Sequence, residues 1–336
     1  MSANISNVTT CISCLYWIDA NLSGDDASNL SVFSDTSLNE TYSPASGKSE
    51  PSYVAATRVC IGLVIISLNG IVLLLLIARA QSIPEIKYIL IKSLIGSDML
   101  VGVTMLYYGA VNLNQRVGDK ISQHCLNYVA LICFACMSST GNMLGIAIDM
   151  YIMIIHPLRY YDLMSERRAR VMAVIAWMVA GFSIVMIILF GREADPLKQP
   201  FPMCSLAATF TFMGLFSGSM VMIYVPLCLM IYLYGSLFIV ARRHMKEISA
   251  LQAIGAQLAE ADLTIASGLK KNVKVAITMF LVVATFFVGW LPYFTIILVT
   301  KAHPELYYRN QIGLFVFVMY GKAASAVEEF VRIENH

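Results

Sequence analysis

The chain has 336 residues, of which 58% are hydrophobic and 13% charged, with a formal net charge of +2. Soluble domains carry roughly 25% charged residues, so a chain with mean hydropathy +0.70 is not an ordinary water-soluble globule, and lipid is its expected solvent. A net charge this small gives no reason to expect a nucleic-acid partner.

Residues 1–52 differ in kind from the rest. They are rich in Ser, Asn and Asp and carry five N-x-[ST] sequons, at Asn4, Asn7, Asn21, Asn29 and Asn39. Such clustering predicts a glycosylated, disordered extracellular tail; a Ser/Asn-rich tail with chance matches is the plainer alternative. No basic stretch followed by an apolar one opens the chain, so the first membrane helix is expected to act as the insertion signal.

Residues 53–331 then read as an all-α membrane domain, a seven-transmembrane-helix bundle. The expected spans are 53–80, 86–111, 121–155, 168–191, 207–241, 269–300 and 306–331, each near or above the length of about 20 residues that crosses a bilayer. Residues 332–336 form a short cytoplasmic end. The third, fifth and sixth spans exceed what a bilayer needs, so their ends tilt or project into water. A soluble helical bundle is excluded by runs such as Gly62 to Ala78, which leave no polar face for water. Basic clusters at Arg167, Arg168 and Arg170, at Arg242, Arg243 and Lys246, and at Lys270, Lys271 and Lys274 all fall on one side. That side holds 13 Lys and Arg and the opposite side 8, with Lys322 and Arg332 in or beyond the last span completing the 23. Positive residues favour the cytoplasm, so the N-terminus is extracellular, in agreement with the sequons. The segment between Arg243 and Lys271 has an amphipathic helical pattern and is expected to extend spans five and six into the cytoplasm.

The eight cysteines divide by depth. Cys125 opens span three and Cys204 lies in the loop between spans four and five. Both face the oxidising side, where a disulfide persists, and a bridge between them would tie that loop across the bundle mouth. Cys11 and Cys14 are also outside and pair with each other or with nothing. Cys60, Cys133, Cys136 and Cys228 read as small packing residues.

Polar and helix-breaking residues inside the spans are functional candidates, because hydrocarbon penalises them. They are Asn69 in span one, Asp98 in span two, Ser139 in span three, Trp177 in span four, Pro226 in span five, and Trp290 with Pro292 in span six. A proline removes a backbone hydrogen bond and kinks a helix, which creates hinges. Each residue singly is as well explained as interhelical glue; the set is not.

The set resembles the rhodopsin-like G-protein-coupled receptors. That family carries an Asn in helix one, L-x-x-x-D in helix two and a Cys at the top of helix three. It carries D/E-R-Y at the foot of helix three, a Trp in helix four, a Pro in helix five and C-W-x-P in helix six. This chain matches at Asn69, Leu94 with Asp98, Cys125, Trp177, Pro226, Tyr234, Phe286, Trp290 and Pro292. Cys125 precedes Met150 by 25 residues, the family's spacing to the Arg of its triplet, and Ile155-His156-Pro157-Leu158-Arg159-Tyr160 is a common form of the loop that follows. The match covers residues 53 to about 330, nearest the amine, adenosine and melanocortin receptors.

The resemblance implies a plasma-membrane receptor that binds an extracellular small molecule and signals to a heterotrimeric G protein, with membrane lipid as the remaining partner. It implies a pocket of Tyr128, Ile132, Met222, Trp290, Phe294 and Tyr320, for which ordinary helix packing is the plainer reading. A sodium ion at Asp98 and Ser139 is implied, within a switch region that includes Asn69, Phe286, Trp290 and Pro292. Asp149, Met150, Tyr151 and Tyr234 become the G-protein-facing residues. No other cofactor and no structural metal are expected.

The pattern also breaks. The triplet reads Asp149-Met150-Tyr151, and Met supplies neither the charge nor the donors of the family's Arg, which leaves Asp149 without its neighbour and free to be solvated. Ile132 stands where amine receptors carry an Asp. In span seven, Glu328 and Glu329 replace Asn-Pro when Ser325 takes the family's polar position. Lys322 then falls where opsins bind retinal; a buried lysine forms a Schiff base, but Glu193 and Asp195 miss the opsin counter-ion spacing. Three functions stay open: a ligand-activated receptor, a retinal-binding photoreceptor, and a receptor-like decoy or dimer partner that does not signal. The chain shows no catalytic constellation and is not expected to be an enzyme.

Overall fold

The computed structural model describes residues 52–113, 121–194, 204–253 and 260–303. The sequons, Cys11, Cys14, the expected seventh span with Tyr320, Lys322, Ser325, Glu328 and Glu329, and the 332–336 end lie outside the described residues. Among those described, regular structure is helical apart from one antiparallel bridge, Arg192 with Phe210.

Span one is Ser52–Ala78. A 3-10 turn at Ala80–Ser82 leads to span two, Glu85–Leu113. Pro84 sits at its start, where a missing N–H is no loss, and Glu85 in the first turn suits the helix dipole. Span three is Ile121–Ile155, the bounds the sequence predicts. Of the five described helices long and apolar enough to cross a membrane it is the most enclosed, while spans one, four and five show most of their surface outward. Its buried polar residues, Ser138, Ser139, Thr140, Asn142 and Asp149, therefore lie inside the bundle rather than in lipid. Thr140 donates to Cys136 O and Asn142 to Ser138 O, because hydrocarbon offers no water to satisfy them.

Span four is Glu166–Phe190, capped by Ser165, whose hydroxyl accepts from Arg168 N. Trp177 bridges to span two, its indole N–H donating to Ser93 Oγ at 3.0 Å.

Span five departs from the expected continuous 207–241. A one-turn helix, Leu206–Thr209, is capped by Ser205. The spanning helix begins separately at Phe212, with Thr211 as its cap. Two hydroxyls that accept backbone N–H groups split the segment. The break expected at Pro226 lies a turn earlier, as a π-helical turn at Met220–Tyr224. Pro226 has no N–H for the carbonyl four residues back, and the wide turn before it absorbs that loss. The helix then runs unbroken over Val225–Ala253.

Span six is Glu260–Ala302, 43 residues with Pro292 inside. At 1.5 Å per residue it measures about 65 Å, twice the hydrocarbon thickness. The expected helical extensions into the cytoplasm are thus present on both span five and span six.

Candidate functional site: pocket, switch and cytoplasmic face

At the outer end, Cys125 and Cys204 form the expected disulfide, with Cα atoms 5.1 Å apart. Lys301, in the last turn of span six, reaches the same loop. Its ammonium lies 3.0 Å from Glu193 Oε2 and donates to Ala207 O at 2.8 Å. Sequence reasoning weighed Glu193 only as an opsin counter-ion and gave Lys301 no partner. Residues 108 apart carry no local signal of pairing.

Below the mouth, Tyr128, Met222, Phe286 and Phe294 are buried in one core cluster, with Ile132 and Trp290 packed against it. Five of the six expected pocket residues therefore lie in or against the bundle core; Tyr320 lies outside the described residues. Met222 sits on the π-helical turn, which a regular helix would not present in the same way. The aromatic rings run in series down span six: Phe294 to Trp290 at 5.9 Å and Trp290 to Phe286 at 6.2 Å between centroids. Tyr128 stacks on Tyr108 at 4.2 Å, and its hydroxyl points to Met105 Sδ at 3.7 Å.

Arg58, near the outer end of span one, is a second residue that sequence reasoning gave no site role. It is buried, with its guanidinium 5.1 Å from the Tyr108 ring centroid and 5.7 Å from that of Tyr128. Cation–π contact of this kind offsets part of the cost of burying the charge. An arginine six residues into an apolar helix was the available signal.

At mid-depth, Ser139 Oγ donates to Asp98 Oδ1 at 2.7 Å, so the two expected sodium ligands are together. Asn69 directs its amide to Ile65 O of its own helix at 3.0 Å. Among the described residues no group of three or more His, Cys, Asp or Glu is placed to hold a metal.

At the cytoplasmic end, Asp149 is not solvated as the sequence suggested. It is 1% exposed and accepts a hydrogen bond from Tyr160 Oη at 2.8 Å. The loop after span three folds back beneath the bundle and supplies the partner that Met150 cannot. Burial, and then the bonded Asp149, raise the Tyr160 phenol above its ordinary pKa, so it stays a donor at neutral pH. Met150 is buried and Tyr234 is buried, with the Tyr234 ring 5.3 Å from Phe280; Tyr151 is half-buried. What the loop presents instead is Leu158, 99% exposed on the 3-10 turn Pro157–Arg159, with Tyr161 exposed beside it. Sequence reasoning quoted Leu158 as part of a pattern without giving it a role.

Among the described residues, helices of this length around one enclosed, polar-lined span, with a tethered outer loop, have the build of a multi-span membrane receptor. Residues 68–328 match the family model described as "7 transmembrane receptor (rhodopsin family)", and the chain belongs to that family. It is thus a multi-pass receptor of the plasma membrane and not an enzyme. Among its relatives, melanocortin receptor 4 of Danio rerio is 28% identical over 248 residues, spanning 71% of this chain and 67% of that protein. Melanocortin receptor 3 of Mus musculus is 26% identical over 262 residues, spanning 75% of this chain and 73% of that protein.

Proposed function

We propose that this receptor passes the binding of an extracellular small molecule to a heterotrimeric G protein docked on Leu158. The observation that carries the reading is the exposure of Leu158. A leucine held almost wholly in water costs about 1.5–3 kcal/mol relative to burial, and an apolar knob on an anchored loop fits a partner's pocket. Tyr160, bonded to Asp149, holds that loop in place. A pocket built from Ile132, Met222, Trp290 and Phe294 would be apolar and aromatic, which suits an apolar or weakly polar ligand.

Purified receptor should accelerate nucleotide exchange on a G protein. Leu158→Asp should lower that rate about tenfold at unchanged surface expression, and Tyr160→Phe severalfold. Full activity in Leu158→Asp removes the docking role. A native chain inert toward every G protein would instead favour the non-signalling partner, the reading that the uncharged, buried Met150 supports.

The switch region adds a second element of the same reading. Asp98 and Ser139 present a carboxylate and a hydroxyl oxygen 2.7 Å apart, the donor chemistry of a hard monovalent cation. These two residues would hold a sodium ion, which would neutralise the carboxylate. The native receptor should then melt a few degrees higher in sodium chloride than in choline chloride of equal ionic strength, by the linkage of binding to stability. Asp98→Ala should melt equally in both; equal melting of the native protein ends the sodium reading.

A further inference from the structure

The outer end of span six is held by a shielded ion pair, and its position makes it more than a fastening. Two ion pairs can be compared directly. Arg170 and Glu166, one turn apart on span four, have side chains 65% and 54% exposed. Lys301 and Glu193 meet at 3.0 Å with side chains 8% and 19% exposed. The first pair is screened by water and salt. The second is largely shut away from both, so the attraction between its members is screened far less.

Glu193 is carried on a stiff strap. Its N–H donates to Thr209 O at 2.9 Å, and Thr211 N donates to Gly191 O at 2.8 Å. Gly191 and Gly214 touch backbone to backbone, so closely that a Cβ on Gly214 would lie 2.5 Å from Gly191 O. Lys301 grips both ends of this strap, Glu193 after span four and the Ala207 carbonyl before span five. The disulfide at Cys204 ties the same loop to span three. Lys301 thus ties the outer end of span six to the rim formed by spans three, four and five.

Lys301 also lies nine residues beyond Pro292, about 13 Å along the helix axis. A rigid rotation of span six about Pro292 moves Lys301 in proportion to its distance from the hinge, by about a quarter to a third of the displacement of the cytoplasmic end at Glu260. A shift of about 1–2 Å away from the loop lengthens the 3.0 Å ion pair and weakens its attraction, so the pair favours one arrangement of span six over the other.

We infer that the Glu193–Lys301 ion pair is a latch that holds the outer end of span six against the loop, closes the ligand path into the aromatic pocket and keeps the receptor in its resting arrangement. The inference rests on the proposed signalling role of span six only for its effect on activity. The closure of the path stands apart from it, and the two are read separately.

The test uses the full chain at the cell surface with Phe294→Cys as a reporter in the pocket. The rate of its modification by a charged, membrane-impermeant methanethiosulfonate reagent is measured, with the chain lacking that substitution as background. Glu193→Gln and Lys301→Met should each raise the rate about five- to tenfold. The charge exchange Glu193→Lys with Lys301→Glu should bring it back at least halfway, since the new carboxylate still faces the Ala207 carbonyl. Glu193→Asp keeps the charge and should stay within about twofold of the parent, which covers the case in which a neutral variant fails to reach the surface. Unchanged rates in the neutral variants, or an exchange variant as fast as they are, overturn the latch. Basal nucleotide exchange is read in parallel with the pocket residue restored to Phe. Faster labelling with faster nucleotide exchange supports both readings; faster labelling alone keeps the latch and removes the signalling role of span six.

Discussion

Replacing Cys125 or Cys204 with Ala is expected to remove most of the receptor from the cell surface. The bridge joins residues 79 apart in sequence, and the chain-entropy relation for a closed loop of that size gives about 4–5 kcal/mol. In a membrane protein that figure is a ceiling, because inserted helices already restrict the unfolded chain. The loss is nevertheless concentrated where it matters. Cys204 has a φ of 65°, a left-handed conformation that costs a non-glycine residue on the order of 1 kcal/mol or more, and only the surrounding tethers hold it there. Without the bridge this segment relaxes, and the strap carrying Glu193 loses its anchor to span three. Surface labelling and thermal melting of the solubilised receptor check the expectation. The double substitution should be no worse than either single one, because both remove the same bond; native surface levels in Cys204→Ala would show the tether to be dispensable.

Gly102→Leu is expected to prise span two from span one. Gly62 and Gly102 face each other across that interface. A Cβ at Gly102 would lie 2.7 Å from Ile66 Cγ1 and 3.0 Å from the Gly62 carbonyl, and one at Gly62 would lie 2.8 Å from the Gly102 carbonyl. Backbone carbonyls cannot rotate aside as a flexible side chain can. Small residues at such a crossing let helices pack by close van der Waals contact, which is the main attraction available between helices in lipid. Overpacking a well-filled site costs about 1–3 kcal/mol, and a Leu that meets backbone belongs at the top of that range. The measurable result is a drop of several degrees in melting temperature and a loss of surface receptor. Gly70→Leu is the control, since a Cβ there meets nothing within 4 Å among the described residues. Equal melting of Gly102→Leu and Gly70→Leu would mean that the interface is not tight.

These expected losses also mark where sequence reading succeeds. Span three was legible residue for residue over Ile121–Ile155, because its apolar run is bounded by polar loops on both sides. The cytoplasmic extensions of spans five and six were legible from amphipathic periodicity. The one-turn helix before span five was not, since Thr209 and Thr211 interrupt an apolar run without ending it. The π-helical turn was not either: Met220-Val221-Met222-Ile223-Tyr224 has the composition of any span, and the extra residue per turn leaves no mark in it. At the candidate site, Asp98 and Ser139 were found because a polar side chain in hydrocarbon is conspicuous in itself. Asp149 was misjudged because its partner, Tyr160, comes from the loop folding back, not from a neighbour in sequence.

The amino-acid sequence by itself determined the solvent, the number and order of the spans, the extracellular side and the receptor family. Those properties are sums and spacings along one chain, and hydropathy, charge and motif register read them directly. Tertiary structure decided who meets whom: Arg58 over Tyr108 and Tyr128, Tyr160 on Asp149, Lys301 on Glu193, and Leu158 left in the open. Each of these depends on the rotation of a helix about its own axis and on its depth against a neighbour. Those quantities are set by packing among all the helices together, and no single stretch of sequence contains them.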